Sequence, residues 1–314
     1  MSGRAQVTGR GAGRAPVWRL VLGDRDVPEP ADGPTNMALD RALLESMIGQ
    51  KTPVLRLYRW APATLSFGRN QPARGRYDES AAAARGIDFV RRPTGGQAVL
   101  HDDELTYAVA APLAAIGKPR LAYRRINQAL VVGLRSLGLE ASVAGGADGA
   151  RDGSADEEGG REAAVPPDWA AACFRRPERG EVVVRGRKLV GSAQRMERRA
   201  ILQHGSILLG GSQAAAEELL AGAGILAGAG AGLAGQGAGR AEPEGAAAAA
   251  AGWTTVSQAL GRRPGPDELV DAVVAGFGSA LGISLAPSGL TPEEVAAAAG
   301  LRERFASRDW TWRR

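Results

Sequence analysis

The sequence predicts an α+β fold, a mixed β-sheet flanked by helices, and three observations lead there. Stretches of period two and of period 3.6 are both present, but they do not alternate regularly as strand–helix–strand units would. No internal repeat organises the 314 residues. The composition, 44% hydrophobic and 23% charged, is that of an ordinary globular chain with enough length for one full core or one domain plus an appendage.

Residues 1–16 are rich in Gly, Ala and Arg without a continuous apolar run, and read as a disordered tail rather than a secretion signal. Val17–Leu22 is a short strand. After a loop rich in Pro, Gly and Asp, Thr35 can cap a helix whose apolar face is Met37, Leu39, Leu43, Leu44, Met47 and Ile48, ended by Gly49. Val54–Trp60 alternates like a half-buried strand, and Ala61-Pro62 turns the chain into Thr64–Gly68, its expected hairpin partner. Ile87–Arg91, Ala98–His101 and Leu105–Ala110 extend the same sheet. Tyr123–Leu137 is an amphipathic helix with Ile126, Leu130, Val131, Leu134 and Leu137 on one side. Strands resume at Gly180–Val184, Leu189–Met196 and Ile201–Leu209.

Ala144–Asp168 contains six glycines, seven acidic residues and one branched aliphatic, Val165, too little apolar surface to order a segment. A mobile loop is expected over 144–168. In Ala221–Gly252, 24 of 32 residues are Gly or Ala, so 210–252 reads as a flexible insertion. The expected organisation is a principal domain over 17–209, that insertion, and a helical segment over 253–314 packing back on the domain. Helices at Asp267–Leu281 and Pro292–Phe305 precede the closing Asp309-Trp310-Thr311-Trp312.

The net charge of +5 and pI near 9.8 come from arginine, whose pairs at 91–92, 124–125, 175–176, 198–199 and 262–263 stand far apart. With aromatics at 5%, this is no nucleic-acid tract; it reads as solvated surface or as a face for an acidic protein partner. Leu219–Gly239 is uncharged but carries eight glycines, which leaves too little hydrocarbon for a membrane span. A single cysteine excludes an intramolecular disulfide and suits a reducing cytoplasm.

The densest chemical signal is Arg91-Arg92-Pro93-Thr94-Gly95-Gly96-Gln97-Ala98-Val99-Leu100-His101. Turn chemistry alone would make Gly-Gly between strands a plain hairpin, yet glycine also lets backbone amides approach a ligand closely. Farther on come Cys173-Phe174, then Gly186-Arg187-Lys188-Leu189-Val190-Gly191-Ser192-Ala193-Gln194, then Leu202-Gln203-His204-Gly205-Ser206. Cys173 lies outside any apolar periodic element, and the following Arg175 and Arg176 favour its thiolate. The segment after Lys188, small-residue Gly191-Ser192-Ala193, suits close ligand approach. His101 and His204 lack the spacing and companions of a metal site, so no metal is expected; each suits bracing of neighbouring loops. No Gly-x-Ser-x-Gly elbow marks a serine hydrolase.

Together with Asn36-Met37-Ala38-Leu39-Asp40, these blocks resemble, in order over residues 36 to 209, the lipoate-protein ligase A and octanoyltransferase family, on the side of its cysteine-dependent octanoyltransferases. The resemblance implies a biotin/lipoyl-ligase-like fold of the class II synthetase kind and a cytoplasmic, monomeric enzyme without cofactor. It also implies transfer of octanoyl from acyl carrier protein to a lipoyl-domain protein of the glycine cleavage H protein type. In that family Cys173 matches the nucleophile and Lys188 the lysine that assists transfer. Arg91, Arg92, Thr94, Gly95, Gly96, Gln97, His101, Gly191, Ser192, Ala193, His204 and Gly205 then form the substrate pocket. Gln97 stands where the family's ligases carry a third glycine, and Arg179-Gly180-Glu181 where relatives carry an aromatic just before the glutamate. The rival readings are an ATP-dependent lipoate or octanoate ligase, an amidotransferase moving octanoyl between lipoyl domains, and a non-enzymatic acyl-carrier binding module.

Overall fold

A computed structural model of the protein describes residues 15–22, 30–146, 177–220 and 252–314. Cys173, residues 1–14 of the tail expected over 1–16 and most of the two segments expected to be mobile lie outside the described residues.

In chain order the first half comprises β1 (Val17–Leu22), α1 (Gly33–Ser46), β2 (Val54–Tyr58), β3 (Thr64–Phe67), α2 (Glu79–Ala84), β4 (Asp88–Arg91), β5 (Val99–His101), β6 (Glu104–Pro112), α3 (Leu113–Ile116), α4 (Pro119–Ser136) and β7 (Ala141–Val143). The second comprises β8 (Val182–Val184), β9 (Arg187–Glu197), β10 (Ala200–Leu208), α5 (Ala214–Glu218), α6 (Val256–Leu260), α7 (Pro266–Leu281), β11 (Ser284–Pro287), α8 (Pro292–Ala306) and α9 (Arg308–Thr311). Eight strands make one mixed sheet in the order β11-β1-β2-β6-β10-β9-β8-β7, and three more make a small sheet, β4-β3-β5. The α+β expectation holds, with helices on both faces of the large sheet.

On one face, Ile126, Leu130 and Leu134 of α4 and Val273 and Phe277 of α7 cover Leu55, Leu57, Val109 and Ile201. On the other, Met37, Leu43 and Leu44 of α1 and Ala298 and Phe305 of α8 cover Val54, Tyr58, Ala108 and Leu202. The alternation in β2 therefore marks a strand buried on both faces, not a half-buried one, and its one charged residue, Arg56, is 1% exposed.

Three further local expectations change. Asp32, not Thr35, caps α1: its Oδ1 accepts from the Thr35 amide at 2.8 Å, ahead of a first turn in which Pro34 has no N–H to satisfy. Thr64–Phe67 is not the hairpin partner of β2, because β1 and β6 already occupy both edges of that strand; β3 instead pairs parallel with β4 and antiparallel with β5. Residues 210–220, placed by composition in the insertion, fold against the small sheet. Ala216 and Leu219 are buried there, and Gln213 bonds both the amide (3.2 Å) and the carbonyl (2.7 Å) of Leu100. No described helix is long and apolar enough to cross a membrane.

Helices α4 and α7 meet backbone to backbone through Gly133 and Gly276. A Cβ on Gly276 would lie 2.5 Å from the Ala129 carbonyl oxygen and 2.7 Å from Gly133 Cα. Alanine improves intrinsic helix propensity by about 1 kcal/mol, but a backbone contact that short cannot be relieved by a rotamer. Gly276→Ala is therefore expected to destabilise by roughly 1–3 kcal/mol, the usual cost of overpacking. Thermal unfolding checks this: an unchanged or raised midpoint would show that the helices separate at little cost.

Candidate active site

The site forms where the small sheet meets β9 and β10. Its rim is the loop between β4 and β5, and Arg92 shapes that loop. The guanidinium donates to the Gly95 carbonyl (2.7 Å), the Gln97 carbonyl (2.7 Å), the Ser66 carbonyl (3.0 Å) and Ser66 Oγ (3.1 Å), so the loop is wrapped around one buried cation. Gly96 sits at φ +91, and a Cβ there would also meet Arg92 at 2.8 Å. Beneath it, a Cβ on Gly68 would lie 1.8 Å from the Gly96 carbonyl oxygen. Gly68 is required by that contact, and Gly96 by its left-handed backbone as well.

Two carboxylate–imidazole–hydroxyl relays support the rim. Asp40 Oδ2 faces His204 Nδ1 at 2.7 Å, and His204 Nε2 faces Thr94 Oγ1 at 2.6 Å. Glu104 Oε1 faces His101 Nδ1 at 2.8 Å, and His101 Nε2 faces Ser66 Oγ at 2.7 Å. A carboxylate on Nδ1 holds the proton there, so each Nε2 accepts from its hydroxyl. His101 also stacks on Trp60, ring centroids 3.9 Å apart, and Trp60 Nε1 donates to Thr106 Oγ1 at 2.8 Å. Ser66, His101 and Glu104 have the connectivity of a hydrolase triad. However, Ser66 has no exposed surface and its Oγ already accepts from Arg92, so the arrangement braces the loop rather than presenting a nucleophile.

Asp40 is the hub on the helix side. It also accepts from Arg56 (2.9 Å) and Tyr58 (2.8 Å), while Arg56 donates to Asn36 Oδ1 at 2.6 Å. Burial would raise its pKa, but the His204 hydrogen bond and the Arg56 charge outweigh burial and hold the carboxyl below its ordinary value. Burial, reinforced by the Asp40 charge, keeps the Tyr58 hydroxyl protonated well beyond its usual range.

The far wall is made of small residues. His204 opposes Ala193 and Gly205 opposes Ser192 across β10 and β9. A Cβ on Gly205 would lie 2.3 Å from the Gly191 carbonyl oxygen, and Ser192 Oγ bonds the Tyr107 hydroxyl at 2.8 Å. With a floor of Met37, Tyr58 and Trp60, these residues line a narrow cleft of about 40 Å³.

Of the residues singled out in the sequence, Arg92, Gly96, His101, Gly191, Ser192, Ala193, His204 and Gly205 line this cleft. Thr94, Gly95 and Gln97 stand behind it as partners of His204 and Arg92. Arg91 points elsewhere: it donates to the carbonyls of Thr311, Gly68 and Gln71 and pins the C-terminal segment. Burial, together with Arg313, Arg314 and Arg92 nearby, lowers its pKa to about 10, which still leaves it charged. Lys188 is 1% exposed on β9 and ion-pairs with Glu181 at 2.6 Å. Asn36 and Asp40 enter the sequence reading only within a family block, and Ser66, Trp60, Glu104 and Glu181 have no role there. The Glu104 signal was present, three residues after His101; Ser66 and Trp60 are brought in by tertiary packing alone.

The profile of the lipoyl protein ligase A/B catalytic domain matches residues 32–278. The chain is 38% identical to the octanoyltransferase LipM of Kyrpidia tusciae, covering 95% of this chain and 99% of that protein. It is 37% identical to the octanoyltransferase LipM of Moorella thermoacetica, covering 96% and 99%. Among solved structures, the bipartite lipoate protein ligase of Thermoplasma acidophilum superposes with a TM-score of 0.67 at 22% identity over 95% of this chain and 96% of that one. A lipoate-protein ligase A bound with ATP gives 0.65 at 21% identity, over 95% and 98%. At such identities the structures establish the shared fold.

Proposed function

The chain belongs to the lipoyl protein ligase A/B catalytic-domain family, among the LipM octanoyltransferases, and from that membership we propose that it carries octanoyl from acyl carrier protein, through a thioester on Cys173, to a lysine of a lipoyl-domain acceptor of the glycine cleavage H protein type. The cleft supports this reading best. Its floor of Met37, Tyr58 and Trp60 and its glycine-rich wall suit an unbranched chain, to which each buried methylene contributes about 0.8 kcal/mol. The Arg92 loop lies at its rim, with the Gly96 amide as a backbone donor for the tetrahedral oxyanion.

Cys173 attacks the carrier thioester and the carrier thiol leaves; one thioester replaces another, so little driving force is needed. The acceptor amine then attacks the acyl-cysteine and Cys173 leaves, and formation of the more stable amide draws the sequence forward. Lys188 moves the protons these steps release and consume.

Intact-mass analysis tests the reading. Octanoyl-acyl carrier protein and an apo lipoyl domain, without ATP, are expected to yield singly octanoylated acceptor, and omission of the acceptor to leave octanoyl on Cys173. Acceptor modified only with free acid and ATP would assign ligase chemistry, and transfer solely from another octanoylated lipoyl domain would assign an amidotransferase.

A further inference from the structure

We propose that Glu181 is a positioning residue of the transfer reaction: it holds Lys188 Nζ and takes a proton from it, so that the lysine can act as a neutral amine toward the attacking thiol. The inference rests on the reading of Cys173 and Lys188 given above and adds a third member to that pair.

Glu181 Oε1 lies 2.6 Å from Lys188 Nζ, and both side chains are nearly solvent-free, at 6% and 1% exposure. The carboxylate is itself fixed, since its Oε2 accepts from the Glu178 amide at 2.8 Å. The lysine is clamped along its backbone, donating to the Gly252 carbonyl at 2.8 Å and accepting from the Thr254 amide at 2.9 Å. Nζ and Oε1 are thus presented to each other by two rigid segments.

A buried ion pair is a poor device for stability, because desolvating two charges roughly cancels their attraction and apolar replacements often do as well. Its presence at the lysine proposed above to move protons points to the proton. Among the described residues two Lys or Arg pairs with a carboxylate are buried on both sides, Arg56–Asp40 and Lys188–Glu181. Only the second has a cation that can give its proton up. Burial pushes the Glu181 carboxyl upward, against the pull of Lys188. Among the described residues, Glu181 is also coupled to the Glu178 carboxylate, which raises it further, and to the Tyr107 hydroxyl, which burial keeps protonated.

The proton balance is complete without an outside reagent. Lys188 passes one proton to Glu181 Oε1, and Nζ then accepts the Cys173 thiol proton as sulfur bonds to the acyl carbon. The C–S bond to the carrier breaks, the departing thiolate takes the proton from Nζ, and Glu181 returns its own. In the second half the acceptor nitrogen sheds its proton by the same route to the departing Cys173.

The test is the rate of octanoyl-Cys173 formation from octanoyl-acyl carrier protein against pH, without acceptor, for wild type, Glu181→Gln and Glu181→Asp. Glu181→Gln is expected to slow acylation roughly a hundredfold and to move the half-maximal rate to higher pH, with the half-saturating carrier concentration unchanged. Glu181→Asp keeps the charge at shorter reach; an intermediate rate with the acidic limb retained is expected, and this variant decides the matter if the glutamine form does not fold. A wild-type rate and pH profile in the variant that folds, or a change confined to half-saturation, overturns the proposal. Absence of any acyl-cysteine in wild type would instead overturn the underlying assignment of Cys173.

Discussion

Cys173→Ala is expected to abolish both the acyl-enzyme and net octanoyl transfer, with a loss on the order of 10⁴-fold or more. The size follows from what the sulfur does. Without it the acceptor amine must attack the carrier thioester directly, which needs both protein substrates at one cleft together, whereas the covalent route takes them in turn. Cys173→Ser is the informative companion. A serine hydroxyl ionises far less readily than a thiol, and its ester is a poorer acyl donor than a thioester, so slow acylation and slower onward transfer are expected. Intact mass should then find octanoyl accumulating on the serine form while acceptor modification stays near background. Full turnover in Cys173→Ala would end the covalent proposal and leave direct attack within the cleft.

Asp40→Ala is expected to be the most damaging substitution for the fold, by about 3–5 kcal/mol, because it strands the Arg56 guanidinium in the core. That is a large share of a typical stability of roughly 5–15 kcal/mol. The same residue ties His204, and through it Thr94, to α1, so the rim loop should loosen as well. Since the Asp40 pKa is depressed in the folded protein, its contribution is fully present above the unfolded value near 3.9. It is lost as pH falls through the lower native value. Chemical denaturation between about pH 2 and pH 5 checks the sign: wild type should lose stability as pH falls below about 4, and the alanine form should show a shallower slope. Equal slopes would mean that other carboxylates dominate the acid response.

The relation of sequence to structure can be followed residue by residue. The helices with a clear apolar stripe, α4 and α7, lie where periodicity put them, because one buried face imposes a 3.6-residue repeat whatever its partner. The pairing of β3 could not be read in the same way. A strand pattern records which faces are buried but not which edge finds which neighbour, and hairpin logic gave way once β1 and β6 filled both edges of β2. Arg56 looked like the exposed residue of an alternating strand, since nothing local announces that Asp40 and Asn36, sixteen and twenty positions earlier, wait to receive it.

Within the site, the Arg92 loop, both histidines and the small-residue segment Gly191–Ala193 were legible because each is a local motif whose chemistry is written in adjacent letters. The partition of the twin arginines was not: neighbouring residues on a strand face opposite ways, so Arg92 gathers the loop while Arg91 holds the C-terminal segment.

By itself, then, the order of residues determined the fold class, the family and the chemical vocabulary of the site. Only folding in three dimensions decided which histidine meets which carboxylate, that Ser66 serves as a brace, and that Glu181 is the partner of Lys188. The physical reason is range: periodicity and turn preferences act over a few residues, whereas a buried charge selects its partner by whichever group the packed core brings within hydrogen-bonding distance.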